Sequence, residues 1–387
     1  MQYAQRTYAV RAARVLPKPG ASSWIEDALF VVRDGRIAEL GPRREVSRCW
    51  SGPVTDLGDA WVVPGLVNAH THLELSHLRG TTVSGRGFAA WVQSLISQPA
   101  QELSEAAMEA AMDELDACGT AWVFDHCGRS AARVSAALAA RGIGYWLGAE
   151  FFGHGGPDDG LAWPEHVRDL PEEAAARVVA AGHALYSTKP QTLRAAHDWC
   201  QRHGRTFSMH LAEHADEIET LTTGRGEFAD MLHVRVVPKD HPAPGMRPVP
   251  YADSLGLLDE RTLAVHCVQL DAADIATLAG RGASVCLCPR SNAYIGVGRA
   301  PWEALRDAGV NLCLGTDSLS SNTDLNLWNE AMAVVTGSEG RIGAAQTVEW
   351  MTTNAARAVG ADAQAGSIEP GRPARYSVVP DAMREFF

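Results

Sequence analysis

The feature that most constrains the fold is an alternation of short apolar runs with alanine-rich helical stretches, which begins near residue 61. Eight runs have the length and composition of buried β-strands: 61–68, 121–125, 145–151, 184–187, 206–210, 263–266, 284–289 and 311–317. Helical stretches lie between them: 103–118, 130–141, 171–181, 193–203, 272–280 and 300–308. This alternation indicates a parallel sheet covered by helices, and eight strands predict a (β/α)8 TIM barrel. An open doubly wound sheet is the alternative, but no glycine-rich phosphate turn follows the first run.

The two ends of the chain have a different pattern from the middle. Short strand-like runs at 8–10, 28–33 and 36–40 are separated by turns, and Asp34-Gly35 is a hairpin signal. The tail 366–380 returns to strand and turn residues. We therefore predict a small discontinuous β-sandwich domain formed by residues 1–61 and 356–387, beside a barrel domain of residues 62–355.

Composition and charge exclude several classes of function. The net charge of −12 and the pI of about 5.6 argue against nucleic-acid partners and anionic membranes. No run reaches the roughly 18 apolar residues of a membrane span, and the N-terminus lacks the apolar core of a signal peptide. The eight cysteines fit buried thiols in a reducing cytoplasm. We expect a cytoplasmic protein with a small-molecule substrate; a homodimer is left open.

Candidate metal ligands end four of the apolar runs: His70-Ala-His72, His210, His266 and Asp317. Side chains alternate along a strand, so both imidazoles of a His-x-His point to one face. Ligands at the carboxyl ends of separate strands are how a barrel enzyme assembles its site. Imidazoles with one carboxylate suit a single Zn²⁺ or Fe²⁺ ion, and the sequence does not separate these two metals.

Glu213 lies three residues after His210, where the chain turns from a strand into a helix. A carboxylate beside a metal-bound water, but not on the metal, is suited to proton transfer. His266 is either a further metal ligand or a group that orients the attacking water, and the second role is favoured. Asp317 can act both as a ligand and as a base. The predicted catalytic residues are therefore Glu213, His266 and Asp317.

At these residues the chain resembles the amidohydrolase superfamily. The segments VVPGLVNAHTHLE, HLAE, AVHCVQL, CPRSN and LGTDSLSSN occur in the expected order between residues 62 and 322. HLAE is similar to the deaminase and chlorohydrolase branch, which acts on aminated heterocycles with one metal ion. The resemblance implies that His70, His72, His210 and Asp317 hold the ion and that Glu213 and His266 transfer protons. Lys189 lies beyond the predicted fourth strand, so it is not assigned as the bridging lysine of the dinuclear branch.

Three further segments, HALYSTKP, CPRSN and GTDSLSSNTDLNLW, are most similar to the aminodeoxyfutalosine deaminases of an alternative menaquinone pathway. The resemblance implies conversion of 6-aminodeoxyfutalosine to futalosine and ammonia. It also implies a substrate pocket lined by His183, Tyr186, Arg290, Ser291, Asn292 and Ser318. Glu150, at the end of strand three, is a candidate for a ribose hydroxyl, and Trp91 for ring stacking. The substrate's benzoate needs a cation, for which Arg290 is the first candidate and Arg79 and Arg86 are others.

Three alternatives remain open. The first is a deaminase of S-adenosylhomocysteine, methylthioadenosine, guanine or another aminoheterocycle. The second is a chlorohydrolase or amide hydrolase that uses the same groups. The third, a metal-binding protein without activity, is disfavoured because it would not need Glu213 and His266 beside the ligands.

Overall fold

The computed structural model describes residues 7–98, 103–157 and 160–387. Its strands are β1 Tyr8–Val15, β2 Ile25–Arg33, β3 Arg36–Pro42, β4 Val54–Asp56, β5 Trp61–Pro64, β6 Leu66–Thr71, β7 Thr120–Cys127, β8 Gly144–Phe151, β9 Val178–Gly182, β10 Phe207–Leu211, β11 Thr262–His266, β12 Ser284–Leu287, β13 Asn311–Leu314 and β14 Tyr376–Val378.

The α-helices are α1 Arg43–Val46, α2 Phe88–Ile96, α3 Glu105–Ala117, α4 Ala131–Ala140, α5 Glu165–Arg168, α6 Glu172–Ala175, α7 Pro190–His203, α8 Ala215–Thr223, α9 Glu227–Arg235, α10 Pro248–Ser254, α11 Ala272–Arg281, α12 Pro289–Ile295, α13 Trp302–Asp307, α14 Leu327–Gly337, α15 Ala344–Met351, α16 Thr353–Ala358 and α17 Asp381–Arg384. A 3-10 helix, Leu73–Leu78, follows β6. In the part of the chain that the structure describes, no helix is both long and apolar enough to span a bilayer.

Strands from both ends of the chain form one six-stranded sheet. Its order is β14-β5-β1-β2-β3, and β4 pairs with β1. Asp34 and Gly35 both have positive φ, 50° and 73°, which is the backbone of the hairpin turn that joins β2 to β3. The C-terminal strand β14 pairs antiparallel with β5 at Val62–Pro64, so the last residues close the sheet that the first residues begin.

The other eight strands form the predicted barrel, which is confirmed. They make two parallel four-stranded sheets, β6-β7-β8-β9 and β10-β11-β12-β13. Two bridges join the sheets: Ala184 pairs with His210 between β9 and β10, and Thr71 pairs with Asp317 between β13 and β6. Backbone hydrogen bonds hold both joins, from His210 N–H to the His183 carbonyl and from Asp317 N–H to the His70 carbonyl. The barrel is therefore closed by the same residues that the sequence singles out for chemistry.

The fourth barrel strand lies earlier than the sequence suggested. Residues 184–187 form a turn, while Val178–Gly182 is the strand and only Glu172–Ala175 of the predicted helix 171–181 is helical. The alanines of residues 171–181 suggested a helix. However, a strand that is buried on both faces can contain small residues where a helix packs closely against it. At Gly182, a Cβ would lie 2.4 Å from Leu193 Cδ2 of the packed helix α7. As a result, His183 and Tyr186 follow the strand and lie at the carboxyl end of the barrel.

The boundaries between the two units stay a prediction. The structure places Trp61–Pro64 in the small sheet, although the predicted barrel domain begins at residue 62. Helix α16 packs against barrel strands β13 and β6, although the small domain was predicted to begin at residue 356. We propose that the chain crosses from sheet to barrel at Gly65 and returns after α16.

Candidate active site

Five polar side chains converge at the carboxyl end of the barrel. They are His70 in β6, His72 just after it, His210 in β10, His266 at the end of β11, and Asp317 three residues after β13. His70, His210, His266 and Asp317 are buried, with exposed fractions between 0% and 7%. Parallel strands bring their carboxyl ends to one rim, which is why residues far apart in sequence meet here.

Three of the imidazoles form a cluster that could hold a metal ion. One ring nitrogen from each of His70, His72 and His210 lies within 4.8 Å of the others. Nε2 of His72 is 3.4 Å from Nε2 of His210, and Oδ1 of Asp317 lies 3.6 Å from Nε2 of His70 and 3.8 Å from Nε2 of His72. These separations match donors that surround a shared central ion at about 2 Å each.

The state of His70 fits this interpretation. Neither of its ring nitrogens has a hydrogen-bond partner among the described residues, although both are buried. Buried polar atoms are seldom left without a partner, so an orphaned imidazole points to a ligand. Burial lowers the pKa of His70 to about 4, which keeps the ring neutral and its lone pair available. The donor set of three imidazoles and one carboxylate suits Zn²⁺ or Fe²⁺.

Asp317 is held by hydroxyl groups on one oxygen and left free on the other. Ser291 Oγ and Ser321 Oγ donate hydrogen bonds to Oδ2, at 2.6 and 2.8 Å. Oδ1 faces His70 and His72. Burial would raise the pKa of Asp317, but the hydrogen bond with His70 and the electrostatic influence of the neighbouring imidazoles outweigh it and hold that pKa well below its ordinary value. The residue is therefore an oriented, ionised carboxylate.

Glu213 and His266 face each other across the site. Oε1 of Glu213 is 3.7 Å from Nε2 of His266, which is too long for a hydrogen bond. Both atoms can therefore bind a water molecule or a substrate that lies between them. Nδ1 of His266 is 2.9 Å from Oδ1 of Asn292, which fixes the plane of the ring. Burial, and then the negative charges of Asp317 and Glu217, raise the pKa of Glu213 well above its ordinary value. A carboxyl group whose pKa is raised in this way is suited to general-acid catalysis.

The backbone around Glu213 is fixed by a second carboxylate, that of Glu217. Its oxygens accept hydrogen bonds from the backbone N–H groups of Ala212, at 3.1 Å, and of Glu213, at 2.8 Å. In the sequence, His214 and Glu217 continue the polar face of a helix, which predicts solvated side chains, and this prediction is wrong. Both are buried, because the first turn of α8 packs inward and His214 stacks on Phe88 at 3.7 Å between ring centroids.

A cavity of about 1700 Å³ opens above these groups. Its walls include His72, His210, Glu213, His266 and Asp317, together with five of the predicted substrate residues: Trp91, Glu150, His183, Tyr186 and Ser318. Oε1 of Glu150 is buried, has no hydrogen-bond partner within the described residues, and lies 3.7 Å from Nδ1 of His210. The ring of Trp91 is held in place by a hydrogen bond from its Nε1 to the Ser320 carbonyl.

Ser291 and Asn292 need a correction, because they lie behind the site and do not line the cavity. Both are buried in the first turn of α12, where Ser291 contacts Asp317 and Asn292 contacts His266. They are positioning residues for two groups that face the cavity. The CPRSN segment carries these residues close to the centre without exposing them to a substrate.

The three arginines predicted to hold a substrate carboxylate also lie outside the cavity walls. Arg290 donates two hydrogen bonds to Asp324, at 2.7 and 2.8 Å, and lies 3.6 Å from Glu330. Arg79 pairs with Glu114 at 2.6 Å. Arg86 lines a neighbouring depression that it shares with Met231 and Arg235. The guanidinium groups of Arg290 and Arg79 are engaged by tertiary contacts that a sequence segment does not reveal.

Sequence reasoning missed His126 in β7. Its ring lies 4.5 Å from that of His70, and its Nε2 is 3.0 Å from Ser208 Oγ. Beside it, Asp125 accepts hydrogen bonds from Thr71 Oγ1 and from the Leu73 backbone N–H. The available signal was the run Val123-Phe124-Asp125-His126, which ends a strand in polar residues just as the recognised ligands do.

A cluster of this kind at the carboxyl end of a (β/α)8 barrel defines the class of protein, a barrel enzyme whose reaction centre is built on several strand ends. The chain belongs to the Amidohydrolase family, whose model matches residues 61–385. This membership confirms the predicted family and the prediction of a hydrolase that acts on C–N bonds.

Known relatives carry more specific names. The chain is similar to the 5-methylthioadenosine/S-adenosylhomocysteine deaminase of Nitratidesulfovibrio vulgaris, with 33% identity over 334 residues that cover 83% of this chain and 70% of the relative. It is 30% identical over 314 residues to the aminodeoxyfutalosine deaminase of Deinococcus radiodurans, covering 78% and 74% of the two chains. Among solved structures, an adenosine deaminase from Xanthomonas campestris with bound zinc has a TM-score of 0.76 and 27% identity, over 96% of this chain and 84% of that one.

Proposed function

We propose that this protein is a metal-dependent hydrolytic deaminase of a 6-aminopurine nucleoside, with aminodeoxyfutalosine as the preferred substrate. The observation that carries the proposal is the convergence of the His70, His72 and His210 imidazoles with the carboxyl groups of Asp317 and Glu213 at the base of one cavity. His70, His72, His210 and Asp317 would hold one divalent ion, Zn²⁺ or Fe²⁺. Such an ion would lower the pKa of water toward neutrality and so supply the nucleophile.

The residues of this chain account for the proton movements. Water adds to C6 of the purine while Glu213 gives its proton to a ring nitrogen. His266, fixed by Asn292, orients the water, and the free Oδ1 of Asp317 accepts its proton. That proton passes to the amino group, which leaves as ammonia, and the hydroxyl group on C6 returns its proton to Glu213 and becomes a carbonyl. The overall change replaces an exocyclic amine with oxygen from water.

The first test is ammonia release by the metal-loaded protein on aminodeoxyfutalosine, S-adenosylhomocysteine, adenosine and guanine. We expect the highest kcat/KM for aminodeoxyfutalosine. Preference for another aminopurine would replace the substrate assignment and leave the reaction in place. Absence of ammonia from every compound, with metal fully loaded, would overturn the proposal.

The second test separates chemistry from metal binding. Glu213→Gln should keep the bound metal and lower kcat by at least about a hundredfold, because the amide cannot deliver a proton. Glu219→Gln is the matched control, since that carboxylate is exposed on α8, the helix that follows Glu213. Turnover of Glu213→Gln close to that of the control would remove Glu213 from the mechanism.

A second candidate function is deamination of 5-methylthioadenosine or S-adenosylhomocysteine. The identity of 33% to the relative that bears this name supports it. The same reaction and the same catalytic residues serve both candidates. The two candidate substrate classes differ in the substituent that lies at a distance from the purine ring.

A further inference from the structure

The cavity is larger than a purine nucleoside requires. Its volume of about 1700 Å³ exceeds the roughly 300–1,000 Å³ that is usual for a small-molecule site. The residues assigned to chemistry lie together at one end, around His210 and Asp317. The remaining volume must therefore receive solvent or a part of the substrate distant from the reacting carbon.

Aromatic rings lead from the metal cluster toward the cavity mouth. The ring of His183 lies 5.1 Å from that of His210, Tyr186 lies 5.9 Å from His183, and Phe228 lies 5.1 Å from Tyr186, between centroids. All four residues line the cavity. The path ends on helix α9, which carries Phe228.

One face of α9 continues this path. Phe228, Met231 and Arg235 are spaced three and four residues apart, so they lie along one side of the helix, and all three line the cavity. At 1.5 Å rise per residue, Arg235 lies about 10 Å along the helix from Phe228. Helix α2 completes this wall with apolar residues: Phe88, Trp91, Val92, Leu95 and Ile96.

Arg235 is the one charged side chain that α2 and α9 contribute to the described cavity walls. Its guanidinium is exposed, and no carboxylate of the described chain lies within ion-pair distance of it. Two other arginines line the cavity: Arg129 lines it together with the carboxylates of Glu165 and Asp169, and Arg133 is bonded to the Leu103 carbonyl. In a protein of net charge −12, a free cation at the end of an apolar wall is available for an anion.

We propose that Arg235 is a specificity-determining residue that binds a carboxylate at the far end of an apolar arm of the substrate. A planar guanidinium matches a carboxylate in a paired geometry, and the wall below it would cover an aryl or thioether arm. The inference rests on the proposed function and narrows its substrate class. Aminodeoxyfutalosine, with its benzoate, has such an arm. S-adenosylhomocysteine has a thioether arm with a carboxylate and an ammonium group, while 5-methylthioadenosine has no anion.

The test is a specificity ratio. We compare kcat/KM for aminodeoxyfutalosine and for 5-methylthioadenosine in the wild type, Arg235→Gln and Arg235→Lys. Arg235→Gln should lower the ratio of anionic to neutral substrate about tenfold, mainly through KM, because a charge-assisted hydrogen bond at an exposed rim is lost. Arg235→Lys should restore part of the ratio. Arg225→Gln is the matched control, since this exposed arginine precedes α9 and does not line the cavity.

A binding measurement separates this inference from the proposed function. The dissociation constant of aminodeoxyfutalosine is measured by calorimetry in Glu213→Gln, with and without Arg235→Gln, so that turnover does not enter. A roughly tenfold weaker binding supports the assignment. The assignment of Arg235 is overturned if the specificity ratio stays within twofold of the wild type and the dissociation constant stays within twofold of Glu213→Gln. This holds even if deamination is established. If no purine nucleoside is deaminated or bound, the proposed function fails and this inference fails with it.

Discussion

The hydrogen bonds to Asp317 give a perturbation whose size can be worked out from the structure. Ser291 and Ser321 donate to the same oxygen, Oδ2, at 2.6 and 2.8 Å, and leave Oδ1 toward the imidazole cluster. Replacing either serine with alanine removes one donor from a buried, ionised carboxylate without changing the ligand itself. The change therefore tests whether Asp317 is held for metal binding.

Each hydrogen bond to a charged group contributes about 1.5–3 kcal/mol. Partners behind a metal ligand typically change metal affinity by about 10- to 100-fold, which is the same energy range. We expect each single variant to bind Zn²⁺ about 10- to 100-fold more weakly than the wild type. The two hydroxyl oxygens lie 2.9 Å apart, so removing one changes the surroundings of the other and the double variant should depart from additivity.

The loss should also depend on pH with a definite sign. Without its donors the ionised form of Asp317 is less stable, so its pKa rises and protons compete better with the metal. The affinity defect should therefore grow as the pH falls from neutral to mildly acidic. Competition with a chromophoric chelator measures the affinity at each pH. Ser135→Ala is the control, since Ser135 is equally buried but donates to the Ala132 carbonyl on α4. Zn²⁺ affinities of both serine variants within twofold of this control would refute the reasoning.

Two further predictions concern stability. Burial raises the pKa of Glu217 from 4.5 to about 7, so the folded protein keeps a proton that the unfolded chain releases, and stability falls as the pH rises through this window. The difference in pKa corresponds to about 3 kcal/mol of stability, at about 1.4 kcal/mol per pH unit. In Glu217→Gln the free energy of unfolding should depend less on pH between pH 4.5 and 7. An unchanged pH dependence would contradict this prediction. Arg290→Gln should destabilise the protein by about 2–3 kcal/mol, because it leaves Asp324 without its paired partner. Denaturant titration measures this loss, and a raised KM for a carboxylate substrate with unchanged stability would instead restore Arg290 to the pocket.

Much of the fold could be predicted because its determinants are local. Buried parallel strands appear as short apolar runs, and their alternation with helices is visible without knowledge of contacts. The histidines and Asp317 could be found for the same reason, since each follows such a run and parallel strands must deliver their carboxyl ends to one rim. The fourth barrel strand, β9, could not be predicted in this way. Val178–Gly182 is rich in alanine, and its close packing against α7 is a tertiary property.

The partners of polar groups were the part that the sequence could not supply. Arg290 has the chemistry to bind a substrate carboxylate, but the loop after β13 brings Asp324 to it, and α14 brings Glu330 nearby. Arg235 has the same chemistry, lines the cavity, and forms no ion pair with a carboxylate of the described residues. Which guanidinium is available is decided by the positions of carboxylates more than thirty residues away from Arg290. Composition and spacing do not contain that information.

The backbone conformation at the site is a further property that could not be predicted from the residue types. Ala212, His266, Cys267 and Asp317 have positive φ, between 49° and 72°, and each lies at or just after the end of β10, β11 or β13. Each such conformation costs a residue with a Cβ about 1–2 kcal/mol and persists only where the surroundings enforce it. Here the surroundings are other strand ends: Cys267 N–H bonds to the Leu211 carbonyl, and Asp317 N–H bonds to that of His70. Glycine would adopt these angles more easily, but it would remove the imidazole and the carboxylate that the cluster needs. The barrel therefore holds its reactive side chains at a conformational cost that closure of the sheet offsets.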